Sequence, residues 1–366
     1  MQYRFYMPVR IVGGENCVSE NGSLFKAFGK CALIVTGRSS AKNGALADVT
    51  SALIQNGQTY AVFDEVTPNP TVPCVRAGVQ KCKECGADFI VAIGGGSPMD
   101  AAKAIAILAR EERSDDAIFA GNWGNDALPM VHIPTTCGTG SEVTPYSILT
   151  NDKAQTKTSI AAPVLFPKVA FLDGKYMRNL PIATTVNTAL DAMSHAMESL
   201  LSVHSDGMSG WAARESLRML GKAVPALLKG VFTAEDRDTL LYASCLAGIA
   251  IAQTGTTIVH SMGYNLTYYY GIDHGRANGI LLSETLRLAE RKVPGRIREI
   301  VEAMGEGSLQ AVTDVIDALV GKVEYIPPEV LPEWTKKAFA NKNLKKCAYL
   351  PTEEEISVIY HKSLYQ

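Results

Sequence analysis

An α/β domain built on a mostly parallel sheet, followed by an all-α domain, is the fold class this sequence predicts. Three observations predict it. Short apolar, β-branched runs alternate with helical patterns through the first half. Long helical patterns without convincing strands fill the second half. At 366 residues the chain also exceeds what one hydrophobic core comfortably serves, so two domains are expected. The division falls near residue 180, giving an α/β domain over 1–180 and a helical domain over 181–366.

The elements follow in order. Cys31–Thr36 (CALIVT) reads as a strand ended by Gly37, and Ala45–Gln55 as a helix. Tyr60–Phe63 is the next strand, stopped by Asp64 and Glu65, and Thr71–Cys85 the next helix. Asp88–Ile93 (DFIVAI) is a strand that runs into Gly94-Gly95-Gly96 and a helix through Leu108. Met130–Ile133 and Val169–Leu172 are further strands, and the β-favouring residues of Met1–Gly14 add an edge strand or hairpin. In sheets of this kind ligands sit beyond the carboxyl ends of the strands. The second half reads as helices over Thr185–Leu201, Gly207–Leu228, Glu235–Tyr264, Gly279–Ala289 and Gly295–Met304, with Pro163, Pro167 and Pro181 marking the crossover.

Composition excludes several classes. Hydrophobic residues make up 47% and charged residues 20%, with a net charge of −2, as expected for a soluble globular protein. There is no basic excess for nucleic acid and no apolar run near the roughly 20 residues of a membrane span. The N-terminal residues are mixed and polar, without a signal-like apolar stretch, so reduced thiols in a cytoplasm are expected for the eight scattered cysteines. Cys82 and Cys85 form a single CxxC with no second pair, which reads as two ordinary helix thiols rather than a zinc ribbon.

Two loops carry anion-binding chemistry. Gly94-Gly95-Gly96-Ser97-Pro98-Met99-Asp100 joins a strand to a helix. Its glycines let the backbone approach a pyrophosphate, and the free N–H groups and dipole of the helix start face the anion. Ser97 is expected as N-cap, Pro98 at N1, and Asp100 in a capping-box exchange with Ser97. The alternative is a glycine-rich turn that binds nothing. The second loop, Pro134–Thr144, follows a strand and is dense in glycines and hydroxyls. Thr135, Thr136, Thr139, Ser141 and Val143 lie in it, where they offer hydrogen bonds to phosphate, ribose or nicotinamide, or else simply cap a helix. Two such loops at one sheet edge favour a dinucleotide in a Rossmann-like domain.

The helical half carries metal-ligand chemistry. Asp191 and His195 are four apart inside a helical pattern and so share one face. His260 lies near the end of a helix and His274 heads a His-Gly turn, so this set takes three of the chain's six histidines. One carboxylate and three imidazoles suit Fe(II), Zn(II) or a similar divalent ion. The competing reading is a group of ordinary buried, hydrogen-bonded histidines. His132 and His204 have no partner nearby in sequence, and His361 lies near the C-terminus.

In order and spacing these motifs match a known pattern. Pro68-Asn69-Pro70, Gly94 through Lys103, the Thr135–Thr144 loop, Lys157, Asp191-x3-His195 with Glu198, and His260-x13-His274-Gly275 together resemble the iron-containing (group III) alcohol dehydrogenase family. The match covers most of the chain and is least clear after Leu319. The resemblance implies a dehydroquinate synthase-like fold, with a Rossmann-like dinucleotide domain, a helical domain and one metal in the cleft between them. It implies Asp191, His195, His260 and His274 as ligands. It further implies cofactor contacts from Gly95, Gly96, Ser97, Asp100 and the threonine loop, and from Asn69 and Lys157.

Two positions depart from the family pattern. Many members carry a proton-transferring His where this chain has Tyr264, and an unperturbed phenol, with a pKa near about 10, is a poorer shuttle. Tyr264 is therefore either a catalytic or a structural tyrosine. After the first strand, NAD-preferring relatives often place an Asp. This chain has Thr36-Gly37-Arg38-Ser39-Ser40, a cation and two hydroxyls fit to receive a 2′-phosphate, which favours NADP(H) over NAD(H).

The resemblance implies hydride transfer between nicotinamide C4 and a small alcohol, diol or aldehyde, aided by a Lewis-acid metal. Alternatives are a dehydroquinate synthase-like lyase, a glycerol dehydrogenase-type polyol enzyme, and an inactive homologue acting as a binding protein. A homodimer or higher homo-oligomer is expected from the resemblance alone. Phe166, Tyr264 and Tyr268–Tyr270 are candidate pocket residues.

Overall fold

The computed structural model describes residues 3–38 and 42–365. It contains two compact units. One comprises Met7–Thr136 and Gly140–Leu180, the other Met1–Tyr6, Cys137–Thr139 and Pro181–Gln366.

The first unit is α/β. In chain order it holds β1 (Arg10–Gly13), α1 (Cys17–Glu20), β2 (Cys31–Thr36), α2 (Ala45–Gln55), β3 (Thr59–Phe63), α3 (Val72–Cys85), β4 (Phe89–Gly94) and α4 (Gly96–Leu108). It continues through β5 (Met130–Pro134), β6 (Tyr146–Asn151), β7 (Thr156–Ala161) and β8 (Val169–Leu172). Six strands form one parallel sheet in the order β1-β8-β5-β4-β2-β3. The expected N-terminal edge strand is β1, paired with β8.

Both faces of this sheet are covered. Leu33, Val35, Ile90 and Ala92 pack with residues of α3 and α4 on one face. Ala32, Ile34, Val91 and Ile93 pack with α1, α2 and the Phe25 region on the other. Every residue of β4 is buried, which is why that strand reads as an unbroken apolar run rather than an alternating one. Each such Ile, Val or Leu contributes about 1.5–3 kcal/mol of burial. Because α2 covers one face and α3 and α4 the other, the winding reverses between β2 and β4. Their carboxyl ends, at Thr36 and Gly94, flank the switch point where such sheets bind ligands.

One expectation is corrected in this unit. Ser97 does not cap α4. The helix starts at Gly96 with Gly95 as N-cap and no side-chain cap, so Ser97 and Asp100 lie inside it and the proposed exchange between them does not form. The pair β6–β7 is an antiparallel hairpin, an element not among those expected from the sequence.

The second unit is all-helical: α5 (Ile182–Leu200), α6 (Gly207–Lys229), α7 (Ala234–Thr254), α8 (Ile258–Tyr270), α9 (His274–Lys292), α10 (Pro294–Met304), α11 (Leu309–Val320), α12 (Leu331–Phe339) and α13 (Glu353–Leu364). The single helix expected over Glu235–Tyr264 is two helices, α7 and α8. The chain breaks at Gly255, whose φ of 68° is natural only for glycine. The helix expected from Gly279 begins earlier, at His274. Among the described residues no single helix is long and apolar enough to cross a membrane. All eight cysteines are free, Cys82 buried and Cys85 half-buried on α3.

Candidate metal centre and dinucleotide loops

In the helical unit, α5 presents Asp191 and His195 one turn apart. His260 projects from the first turn of α8 and His274 is the first residue of α9. The structure brings all four together. Asp191 Oδ1 lies 3.8 Å from Nε2 of His195, of His260 and of His274. Donor atoms of Asp191, His195 and His260 all fall within 4.8 Å of one another, and these three residues are buried. A separation of 3.8 Å is too long for a hydrogen bond. It is close to the spacing, about 3.4 Å, of ligands placed about 2.1 Å from a shared tetrahedral ion. Asp191, His195 and His260 thus fit a divalent cation with N/O ligation, and His274 Nε2 lies at the same 3.8 Å from the shared carboxylate oxygen.

Close packing sets this geometry. Gly275 follows His274 because α9 begins hard against α5. A Cβ there would overlap Asn187 O and stand 2.9 Å from Asp191 Cβ. Asn187 Nδ2 donates to Asp273 Oδ2 at 2.8 Å, fixing the same junction. A Cβ on Gly138 would stand 2.6 Å from Thr188 O. That close approach lets the Gly138 carbonyl accept from His195 Nδ1 at 3.2 Å. With Nδ1 protonated, the Nε2 lone pair of His195 faces the cluster.

His260 is oriented by Glu198, one turn past His195 on α5 and fully buried. Glu198 Oε2 accepts from His260 Nδ1. Glu198 Oε1 accepts from Thr257 N at 3.0 Å, Thr257 Oγ1 at 2.8 Å and Val259 N at 2.8 Å. Thr257 makes no side-chain cap of its own, so the carboxylate satisfies the first N–H groups of α8 and holds His260 at once. Burial pushes Glu198 toward protonation. The His260 ring and these hydrogen bonds outweigh it, and the net pKa is lowered. Burial, ahead of the neighbouring charges, lowers the pKa of His195, which favours the neutral ring with a lone pair open to a cation. The sequence motif includes Glu198 but assigns it no role. Asp191, His195 and Glu198 recur at helical spacing, but the capping of α8 is tertiary.

The remaining neighbours are aromatic. The rings of His195 and His260 stack at 4.7 Å, and Tyr264 stacks on His274 at 5.7 Å. Tyr264 is buried. Tyr269 and Tyr270 are not part of this cluster; they are exposed and pack on Trp334 of α12. Asn278, absent from the sequence reading, lies inside the cluster (below).

In the α/β unit the two loops meet at the carboxyl end of β4. Thr135 N donates to Gly94 O at 3.0 Å. A Cβ on Gly95 would stand 3.0 Å from Thr136 Oγ1, so glycine permits that approach. Ser97 Oγ accepts from Asn69 N at 3.2 Å. Asn69 has a left-handed φ of 57°. Its Oδ1 accepts from Lys157 Nζ at 3.0 Å, and its carbonyl accepts from Thr150 Oγ1 at 3.0 Å. Asn69, Ser97 and Lys157, far apart in sequence, are therefore adjacent.

Asp100 and Lys103 staple the second loop to α4. Fully buried Lys103 donates from Nζ to Ser141 O at 2.7 Å, Ser141 Oγ at 2.7 Å and Tyr146 O at 2.8 Å. Ser141 Oγ in turn donates to Asp100 Oδ1 at 2.8 Å, and Ile148 N donates to Asp100 Oδ2 at 3.1 Å. Burial lowers the Lys103 pKa to about 8 and pushes that of neighbouring Glu142 up to about 7. The hydroxyl of Ser141 thus serves the loop, and Val143 is fully buried. Thr139 belongs to the helical unit. Gly37 and exposed Arg38 follow β2, while Ser39 and Ser40 lie outside the described residues.

Comparison with known proteins agrees over the whole length. A family model described as iron-containing alcohol dehydrogenase matches residues 8–174. A second, described as the C-terminal part of the Fe-containing alcohol dehydrogenase family, matches residues 185–364, beyond the point where the sequence motifs fade. The chain is 34% identical to 1,3-propanediol dehydrogenase of Citrobacter freundii over 316 residues, 84% of this chain and 81% of that protein. A crystal structure of an iron-containing alcohol dehydrogenase from Thermotoga maritima superposes with a TM-score of 0.91 at 37% identity, covering 99% of each chain. Sulfoacetaldehyde reductase from Bifidobacterium kashiwanohense, in complex with NAD+, superposes with a TM-score of 0.90 at 27% identity, covering all of each chain.

Proposed function

This chain belongs to the iron-containing alcohol dehydrogenase family, and from that premise we propose that Asp191, His195, His260 and His274 hold one divalent ion, Fe(II) or Zn(II), in an enzyme that reduces short aldehydes and oxidises the matching alcohols or diols with NADP(H). The metal-dependent NAD(P)H oxidoreductase class follows from the family. The ligand set, the substrate range and the preference for NADP(H) are our reading. The observation that carries it is the single carboxylate oxygen equidistant, at 3.8 Å, from three imidazole nitrogens.

A divalent ion there supplies Lewis acidity toward a carbonyl or alcohol oxygen, and the nicotinamide supplies or accepts the hydride. The residues of the chain bind and orient. Glu198 and Gly138 fix two imidazole rings with their lone pairs inward, and Tyr264 packs flat against a third. The N–H groups at the start of α4, exposed by Gly95 and Gly96 and unblocked by any side-chain cap, receive the pyrophosphate. Ser97, Asn69 and Lys157 border that anion site, and Thr135 and Thr136 lie beside it. Lys103 and Asp100 hold the second loop in register with the first.

The preference for NADP(H) rests on Arg38. It follows β2 at the switch point with no carboxylate among residues 36–40, so a 2′-phosphate meets a cation. The edge of β1, one of the two terminal strands of its sheet, supports assembly into a homodimer, because a strand edge is a template for pairing with another chain.

The test is a panel of short aldehydes and diols assayed by nicotinamide absorbance with NADPH and NADH, after loading with Fe(II) or Zn(II). Turnover that requires metal, with kcat/KM at least about tenfold higher for NADPH, is the expected result. Equal use of NADH would remove the cofactor preference. Full activity after metal stripping would remove the metal centre. Turnover of a substrate with no net nicotinamide oxidation would favour the lyase reading instead.

A further inference from the structure

Asn278 lies on α9 one turn after His274 and is fully buried. Its amide nitrogen Nδ2 is 2.9 Å from Asp191 Oδ1, 3.2 Å from His260 Nε2 and 3.3 Å from His274 Nε2. One N–H₂ group therefore faces acceptor atoms of three of the four ligand residues. Its carbonyl Oδ1 has no hydrogen-bond partner among the described residues and points against Gly263 of α8, where a Cβ would overlap it.

A buried amide oxygen left without a donor costs about 1–3 kcal/mol. The opposite orientation is worse. It would aim the oxygen at the Asp191 carboxylate 2.9 Å away and at the lone pair of His260 Nε2, because His260 already commits its Nδ1 proton to Glu198. The amide is thus held nitrogen-first by the acceptors it faces, and Gly263 leaves the space that its oxygen needs.

We propose that Asn278 is a positioning residue for the metal centre. Its amide N–H donates to Asp191 Oδ1, an oxygen with a second lone pair left for an ion, and keeps that carboxylate aimed at the imidazoles, whose single Nε2 lone pairs stay for the ion. This rests on reading those residues as ligands. Partners that orient ligands in this way typically change metal affinity about 10–100-fold when removed.

The experiment titrates Co(II) into the full-length chelator-stripped protein. Affinity is read by competition with a chromophoric chelator, and site geometry by the Co(II) ligand-field absorption. Asn278→Leu fills the space without donors and Asn278→Ala empties it. Gly263→Ala leaves every ligand and the amide in place but crowds the amide oxygen. Leu286→Ala, a buried site two turns further along α9, controls for general loosening of the helix. Both Asn278 variants are expected to lose affinity about 10–100-fold with an altered spectrum. Gly263→Ala should shift in the same direction, and Leu286→Ala should match the unsubstituted protein.

Unchanged affinity and spectrum in the Asn278 and Gly263 variants would overturn the proposal, as would an equal loss in Leu286→Ala. Stoichiometric Co(II) retained by Asp191→Ala would overturn the ligand assignment itself, a separate failure read in the same titration.

Discussion

Glu198 holds His260 by one carboxylate oxygen and the start of helix α8 by the other. Oε2 accepts from the imidazole Nδ1, while Oε1 takes three donors from Thr257 and Val259. Orientation of the His260 ring and formation of the helix that carries it are therefore one interaction. Glu198→Gln keeps the shape but replaces one acceptor oxygen with an amide N–H₂, so either His260 or the cap loses its partner. Metal affinity is expected to fall about 10–100-fold, measured by chelator competition. Glu198→Ala strips both and leaves buried N–H groups without acceptors. It should also destabilise the apo-protein by about 3 kcal/mol, measured by urea unfolding.

Gly275 sets the distance between α5 and α9. Gly275→Ala places a methyl into Asn187 O and beside Asp191 Cβ, and backbone cannot yield as a flexible side chain can. Overpacking of this kind costs about 1–3 kcal/mol, and displacement of His274 should strip the bound metal. Gly307→Ala is the control, since a Cβ there meets nothing within 4 Å. Metal content after gel filtration and the unfolding midpoint should both drop in the first variant and in neither respect in the second.

The sequence shows some of this and hides the rest for physical reasons. The strands β2, β4, β5 and β8 are visible because burial on both faces leaves continuous apolar runs. Asp191 and His195 are visible because helical spacing puts them one turn apart. The hairpin is hidden. Tyr146–Asn151 and Thr156–Ala161 mix polar and β-branched residues, and their connecting turn has no glycine; Gln155 takes the left-handed φ of 49°. The break between α7 and α8 is hidden because only Gly255, Thr256 and Thr257 separate two apolar helices. The first turn of α9 is hidden because Gly275 and Gly279 lower helix propensity, yet they are what lets that helix reach α5. Ser97 looks like a cap by residue type, but its hydroxyl is taken by Asn69, a contact between residues 28 apart. Asn278 had a signal in its four-residue spacing from His274. Nothing in sequence says that the face they share points at Asp191.

Glu142 and Lys103 give the α/β unit opposite pH dependences. Glu142 holds its proton to about pH 7 when folded, against an ordinary value of 4.5. Between those values the folded protein keeps a proton that the unfolded chain has released. The stabilisation is therefore complete below pH 4.5 and is lost as pH rises through 7. Its full size is about 3 kcal/mol at most. Lys103 titrates near 8 when folded, against 10.5. The unfolded chain holds the extra proton there, so stability rises from pH 8 to 10.5. Glu142→Gln should flatten the decline between pH 4.5 and 7 and keep the rise above 8. Urea midpoints measured at half-unit pH steps test both limbs, and an unchanged slope below pH 7 would show that Glu142 is ionised in the fold.

Asn69 combines a backbone role and a side-chain role that two substitutions separate. Its left-handed φ of 57° suits Asn and Gly and strains Ala by roughly 1–2 kcal/mol. Its Oδ1 anchors Lys157 beside Ser97 at the start of α4. Asn69→Ala should lose stability and dinucleotide affinity together. Asn69→Gly restores the backbone and keeps the N–H that Ser97 accepts and the carbonyl that Thr150 donates to, yet leaves Lys157 without its anchor. Unfolding midpoints should recover in the glycine variant. The dissociation constant for NADPH, read by nucleotide fluorescence, should stay about tenfold weaker, a loss of roughly 1.4 kcal/mol. Full recovery of both would mean that the side chain acts only through the turn, and that Lys157 finds the cofactor phosphates without it.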